Sequence, residues 1–93
     1  MLWDLLDRNG KSTEQVRSLA VPDSELLKTK PLYILQSEEL VSAGELFGYT
    51  LQQLGRAVVI GETSAGLAHY TGAAQVNDWL FVRIPMFRPI NPV

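Results

Sequence analysis

The chain has 93 residues, of which 46 % are hydrophobic and 19 % charged, a balance that suits one globular domain and leaves no room for a second. Eight basic against ten acidic residues give a formal charge of −2, which excludes nucleic acid as a partner, because phosphate contacts need clustered Lys and Arg. With no Cys and a single His69, neither a disulfide nor a structural metal can staple a domain of this marginal size.

No apolar run approaches the ~20 residues that cross a bilayer, and residues 1–12 have neither the basic start nor the continuous apolar centre of a leader. Absence of Cys suits any compartment. Eight of the ten acids precede Leu46 or lie beside it, with only Glu62 and Asp78 later, which predicts that the later half is the more buried.

In chain order, residues 1–6 lead into Asp7-Arg8-Asn9-Gly10, and Asn-Gly favours the positive φ of a tight hairpin turn, so residues 11–19 read as the returning strand. Val21-Pro22-Asp23-Ser24 breaks the pattern, and residues 25–30 make one helical turn before Pro31. Residues 32–36, Leu-Tyr-Ile-Leu-Gln, are a short apolar run without alternation, the mark of a central strand buried on both faces. Between residues 42 and 54, Leu46, Phe47, Leu51 and Leu54 fall at near-helical spacing opposite Gln52 and Gln53, and Gly55 stands where a helix C-terminal cap is expected. Ala57-Val58-Val59-Ile60 is a second buried strand, parallel to the first if the helix crosses between them. The fold class is therefore α/β, with a mixed sheet and one main helix over about 42–54.

Residues 61–66, Gly-Glu-Thr-Ser-Ala-Gly, form a loop that lacks the Gly-Lys-Ser/Thr ending of a phosphate loop, so no nucleotide is implied and no cofactor is called for. Residues 68–76 and 79–84 flank Asn77-Asp78 as an antiparallel hairpin, and Pro85, Pro89 and Pro92 then stop regular structure. Trp79, Phe81 and Phe87 build core or cover a sheet edge.

Ser42-Ala43-Gly44-Glu45 carries two readings that exclude each other only in part. As a capping box, the Ser42 hydroxyl accepts from the Glu45 amide while the Glu45 carboxylate reaches back to the Ser42 amide. As a catalytic element, a serine at the start of a helix that follows a buried strand sits at the strand's C-terminal edge, where α/β proteins place ligands, and the Ala43 amide could stabilise an oxyanion formed on attack by Ser42. Glu62 is either a solvated loop acid or a residue at that same edge. His69 is the only histidine, the side-chain type that exchanges protons most readily near neutrality, structural in the plainer reading and a general base in the other.

The stretches 32–36, 41–49 and 54–66, with Ala68-His69 and Arg88-Pro89-Ile90-Asn91-Pro92, resemble the tail-specific (C-terminal processing) serine peptidase family. The branch they are most similar to includes the interphotoreceptor retinoid-binding protein repeats. It carries a Ser-[Ala/Gly]-[Ala/Gly]-Glu helix start, Arg-Ala before the next strand, a Gly-Glu-Thr loop, a nearby Ala-His and a later Arg-x-Ile-Asn-Pro. The resemblance covers residues 31–93, and residues 1–30 match loosely as a preceding hairpin and loop.

That resemblance implies a Clp/crotonase-like fold of ββα units, Ser42 as nucleophile, Glu45 as a supporting acid and Glu62 at the Gly-Glu-Thr position. It also implies a peptide or unfolded protein as substrate and an extracytoplasmic site in bacteria. Members with a Ser-Lys dyad carry the lysine where this chain has Gly66-Leu67-Ala68, so that base is absent, and members without it draw their base from earlier residues. A serine with no base in reach is a weak nucleophile at neutral pH. The 93 residues thus read as one partial domain, the later part of a larger catalytic domain, inactive alone and self-associating through exposed strand edges. A non-catalytic module that holds an apolar ligand on the same scaffold is the alternative reading.

Overall fold

Asp7 closes the first hairpin. The computed structural model describes residues 2–21 and 25–91, and within them β1 (Trp3–Leu6) pairs antiparallel with β2 (Ser12–Val16), Trp3 opposite Val16. The sequence predicts an Asn-Gly pair with positive φ. In the structure only Gly10 is left-handed, at φ 78°, and Asp7 Oδ1 accepts from the Asn9 and Lys11 amides at 2.8 and 2.9 Å. An aspartate that caps its own turn in this way removes the need for a second left-handed residue.

The break expected at 21–24 falls mostly outside the described residues, as does Pro92. The helical turn is α1 (Glu25–Lys28). Next come β3 (Tyr33–Gln36), α2 (Ala43–Gln53) and β4 (Val58–Gly61), with β3 and β4 parallel in the register Tyr33 to Val58 through Gln36 to Gly61. The strand, helix, strand unit is as expected. Gly55, at φ 63°, ends α2: its amide bonds Gln52 C=O at 3.0 Å and the Arg56 amide bonds Leu51 C=O at 2.9 Å, the paired bonds of a Schellman motif.

β5 (Tyr70–Asn77) and β6 (Leu80–Ile90) complete a four-stranded antiparallel sheet in the order β2-β1-β6-β5. The hairpin turn is one residue later than expected, at Asp78-Trp79, because Asn77 pairs with Leu80 and the Trp79 amide donates to Asn77 Oδ1 at 2.9 Å.

Pro85 and Pro89 do not stop the chain but lie inside β6. The reason is that β6 changes partner: its first part pairs only with β5 and its last three residues only with β1, so one edge is open at every position. Pro85 also sits at an irregularity where Tyr70 faces Phe87 and Thr71 faces Pro85, which leaves Met86 unmatched. Proline is tolerated at edges and bulges, where no ladder amide is lost.

Burial runs opposite to expectation. Among the described residues the buried ones are Leu5, Glu45, Leu46, Gly48 and Thr50, while Leu35 (80 % exposed), Phe47, Leu54, Ile60, Phe81 and Trp79 (91 % exposed) lie at the surface. β3 and β4 pair only with each other, and of β3 only Ile34 and Gln36 are partly covered. A two-stranded sheet has no neighbour to cover its second face. The radius of gyration is 16.1 Å, against about 12 Å for a compact chain of this length, and the extents are 53 × 29 × 23 Å. The scarcity of acids after residue 46 thus marks uncovered apolar surface, not buried interior.

Candidate functional site

Ser42 is the N-cap of α2 and the only described non-glycine residue with positive φ, at φ 56° and ψ −120°. That conformation costs about 1–3 kcal/mol and persists only where neighbours hold it. The holding group is Glu45. Its Oε2 accepts from the Ser42 amide at 2.8 Å, the carboxylate half of the capping box. The Ser42 side chain faces the Glu45 amide in return, the other half of the capping box.

Two further amides of the first turn of α2 have backbone acceptors. Gly44 N–H donates to Val41 C=O at 3.2 Å and Leu46 N–H to Ser42 C=O at 3.1 Å. Ala43 N–H has no intrahelical acceptor. An unpaired amide beside the serine, at the positive end of the helix dipole, is the arrangement that binds an oxyanion.

Glu45 does more than hold Ser42. Although it is only 7 % exposed, its two oxygens also accept from the Gly66 amide at 2.6 Å and the Leu67 amide at 2.8 Å, and the Ser64 side chain bonds it as well. Burial pushes this carboxyl's pKa up, but the Ser64 hydroxyl and the three amides outweigh it and hold the pKa below the ordinary glutamate value. Glu45 is therefore ionised at neutral pH. One carboxylate ties the turn that carries Ser42 to the loop that leads into His69.

His69 is exposed and lines, with Ser42, Ala43, Leu46 and Thr71, a cavity of about 210 Å³. No hydrogen bond joins His69 to Ser42. The structure thus brings Ser42, Ala43 and His69 to one cavity and sets Glu45 behind them. Glu62 is not in that cavity but shares one of about 200 Å³ with Glu45, Gln36, Tyr49 and Ser64. There its Oε2 accepts from the Glu38 amide at 3.0 Å, and its carbonyl accepts from Gln36 Nε2 at 2.6 Å. This acid braces the loops after β3 and β4 against each other.

Residue-type reasoning missed Ser64 and the Gly66 and Leu67 amides, which lie 19 to 22 residues from Glu45. Their one visible signal is a hydroxyl inside a loop bounded by glycines. Comparison with protein families matches residues 4–93 to peptidase family S41. The chain belongs to family S41. The match takes in the first hairpin, which the motifs alone connected only loosely, and it makes this a serine peptidase-family chain, of a family whose membership suggests a protein or peptide substrate. No helix among the described residues of this S41 chain is long and apolar enough to cross a membrane.

Proposed function

We propose that this S41 chain carries the nucleophile of a serine endopeptidase that acts on peptide bonds near C-termini or in unfolded chains, on a Clp/crotonase-like scaffold. The observation that carries it is the cavity shared by Ser42, in its held positive-φ turn, the unpaired Ala43 amide and His69. In the reaction Ser42 Oγ attacks the scissile carbonyl and its proton passes to His69, while the carbonyl oxygen gains negative charge against Ala43 N–H. Collapse breaks the C–N bond, the amine leaves with the proton from His69, and water hydrolyses the acyl-serine by the reverse roles. Glu45 positions the turn and touches no substrate.

The test is a fluorophosphonate probe on the full chain. Labelling is expected in the native protein and absent in Ser42→Ala, and His69→Ala is expected to lower the labelling rate about 100-fold or more. Equal labelling of native and Ser42→Ala proteins overturns the reading.

An apolar cavity of about 290 Å³ between Leu2, Trp3, Phe47, Thr50 and Leu51 favours a second reading, an apolar-ligand site without chemistry. Saturable quenching of tryptophan fluorescence by an apolar ligand, with no serine labelling, is its expected signature. We also propose self-association of the chain through its open strand edges. Sedimentation is expected to show mass rising with concentration, and a stable monomer across the micromolar range counts against it.

A further inference from the structure

His69 faces a second cavity besides the one it shares with Ser42. This cavity is larger, about 370 Å³, and lies where the first hairpin meets β6: Leu6, Asp7 and Arg8 line one side, Phe87 and Arg88 the other. The register explains the meeting, since Leu6 pairs with Arg88 across β1 and β6, and the turn that follows Leu6 carries Arg8 past the end of the ladder. Residues far apart in sequence, 8 and 88, are brought by sheet pairing to one opening beside His69.

Its electrostatics are lopsided. Neither the Arg8 nor the Arg88 guanidinium makes a hydrogen bond or ion pair with another described residue, and both residues are exposed. Among the described residues the one acid lining the cavity is Asp7, and its Oδ1 accepts from the Asn9 and Lys11 amides. Two unpaired guanidinium groups against one carboxylate leave a net positive opening in a chain whose net charge is −2. Guanidinium matches a carboxylate by paired N–H donors, and Arg is the side chain suited to that planar fork.

We propose that Arg8 and Arg88 bind a carboxylate of the substrate peptide, which this second cavity holds while the adjoining cavity presents the scissile bond to Ser42. The proposal rests on the reading of Ser42 as nucleophile for its catalytic consequence, and on His69 lining both cavities for its geometry. The carboxylate has two sources, the C-terminus of the peptide or an acidic side chain near the cleaved bond. Both sources offer the same planar anion.

The experiment uses the full chain and three fluorescent peptides of one sequence: a free acid, its C-terminal amide, and the amide with a glutamate introduced near the terminus. Binding is read by anisotropy and cleavage by kcat/KM, in the native protein and in Arg8→Ala, Arg88→Ala and the double variant. The expected result is that the free acid or the glutamate peptide binds about tenfold more tightly than the plain amide. Each alanine variant is expected to remove about fivefold of that preference at the level of KM, leaving kcat, fluorophosphonate labelling and thermal midpoint unchanged. Arg→Lys at both positions is expected to restore part of the preference, since charge remains and the fork is lost.

Preference for the free acid alone assigns the terminal carboxylate, and equal preference for the glutamate peptide assigns a side chain. Equal binding of all three peptides, or an equal loss for all three in the double variant, overturns the proposal. If Ser42 fails to label, the nucleophile reading falls. The anisotropy series still decides the carboxylate site by itself.

Discussion

Glu45→Ala is expected to unfold the turn that presents Ser42 and to abolish serine labelling. The substitution leaves the Ser42, Gly66 and Leu67 amides without the carboxylate that now accepts from all three at 2.6–2.8 Å. Removing one partner of a charge-assisted hydrogen bond costs about 1.5–3 kcal/mol where the other stays shielded, so a total of about 3 kcal/mol or more is expected after partial rescue by water. In a domain of this size that is a fall of more than ~10 °C in thermal midpoint. Hydrogen exchange of the Gly66 and Leu67 amides, rising together with loss of the Ser42 turn, is the local readout, and an unchanged midpoint would show that the tie is not structural.

The same carboxylate sets a pH dependence of known sign. Its pKa is lowered in the folded chain, so its contribution is complete above the ordinary glutamate value of about 4.3 and is lost as pH falls through the lower folded value. Native stability is expected to drop over that acid range. Glu45→Gln, which cannot ionise, should be less stable at pH 7 and show a flatter acid limb.

The second large effect is expected at Gly61, the last residue of β4. Its φ of 128° belongs to a region essentially restricted to glycine, and a Cβ there would collide with the Gln36 carbonyl of the paired strand. Neither atom belongs to a flexible side chain, so relief requires the β3 and β4 backbones to part. Gly61→Ala is expected to cost about 3 kcal/mol or more and to release the bonds that Glu62 makes to Gln36 and Glu38. A urea titration followed by hydrogen exchange in β3 and β4 measures this; a cost below about 1 kcal/mol would mean that the strands separate easily.

These two positions show where sequence reading succeeds and where it stops. Gly61 closes an apolar run and opens a loop, so its role as a turn glycine follows from its neighbours. Glu45 is three residues from Ser42, so half of its work is visible as a capping box. The other half depends on amides 21 and 22 residues away that no spacing rule connects to it. The position of Glu62 after a strand leaves open whether it is a loop acid or a residue at the edge of Ser42; its carboxylate accepts from the Glu38 amide, and it shares a cavity with Glu45 but not with Ser42.

The prolines and the burial pattern fail for a related reason. Pro85 and Pro89 break strands that have partners on both sides, and the identity of a strand's neighbours is not a local property. β6 has one partner at a time, so its prolines fit. An apolar run marks surface that favours burial but does not say what will cover it. Here Tyr33, Leu35, Ile60 and Phe81 stay exposed within these 93 residues.

The sequence by itself determined the elements that close within a few residues: the hairpin at Asp7 to Lys11, the start of α2 at Ser42, its end at Gly55, and the strands on either side. Backbone capping and turn bonds span two to five residues, so residue order suffices to specify them. The tertiary structure alone decided that Ser42 and His69 share a cavity, that Glu45 ties their two segments together, and that Arg8 and Arg88 line one opening. Those juxtapositions arise from strand pairing and loop closure over 20 to 80 residues, where many alternatives satisfy the same local rules and only the assembled sheet selects one.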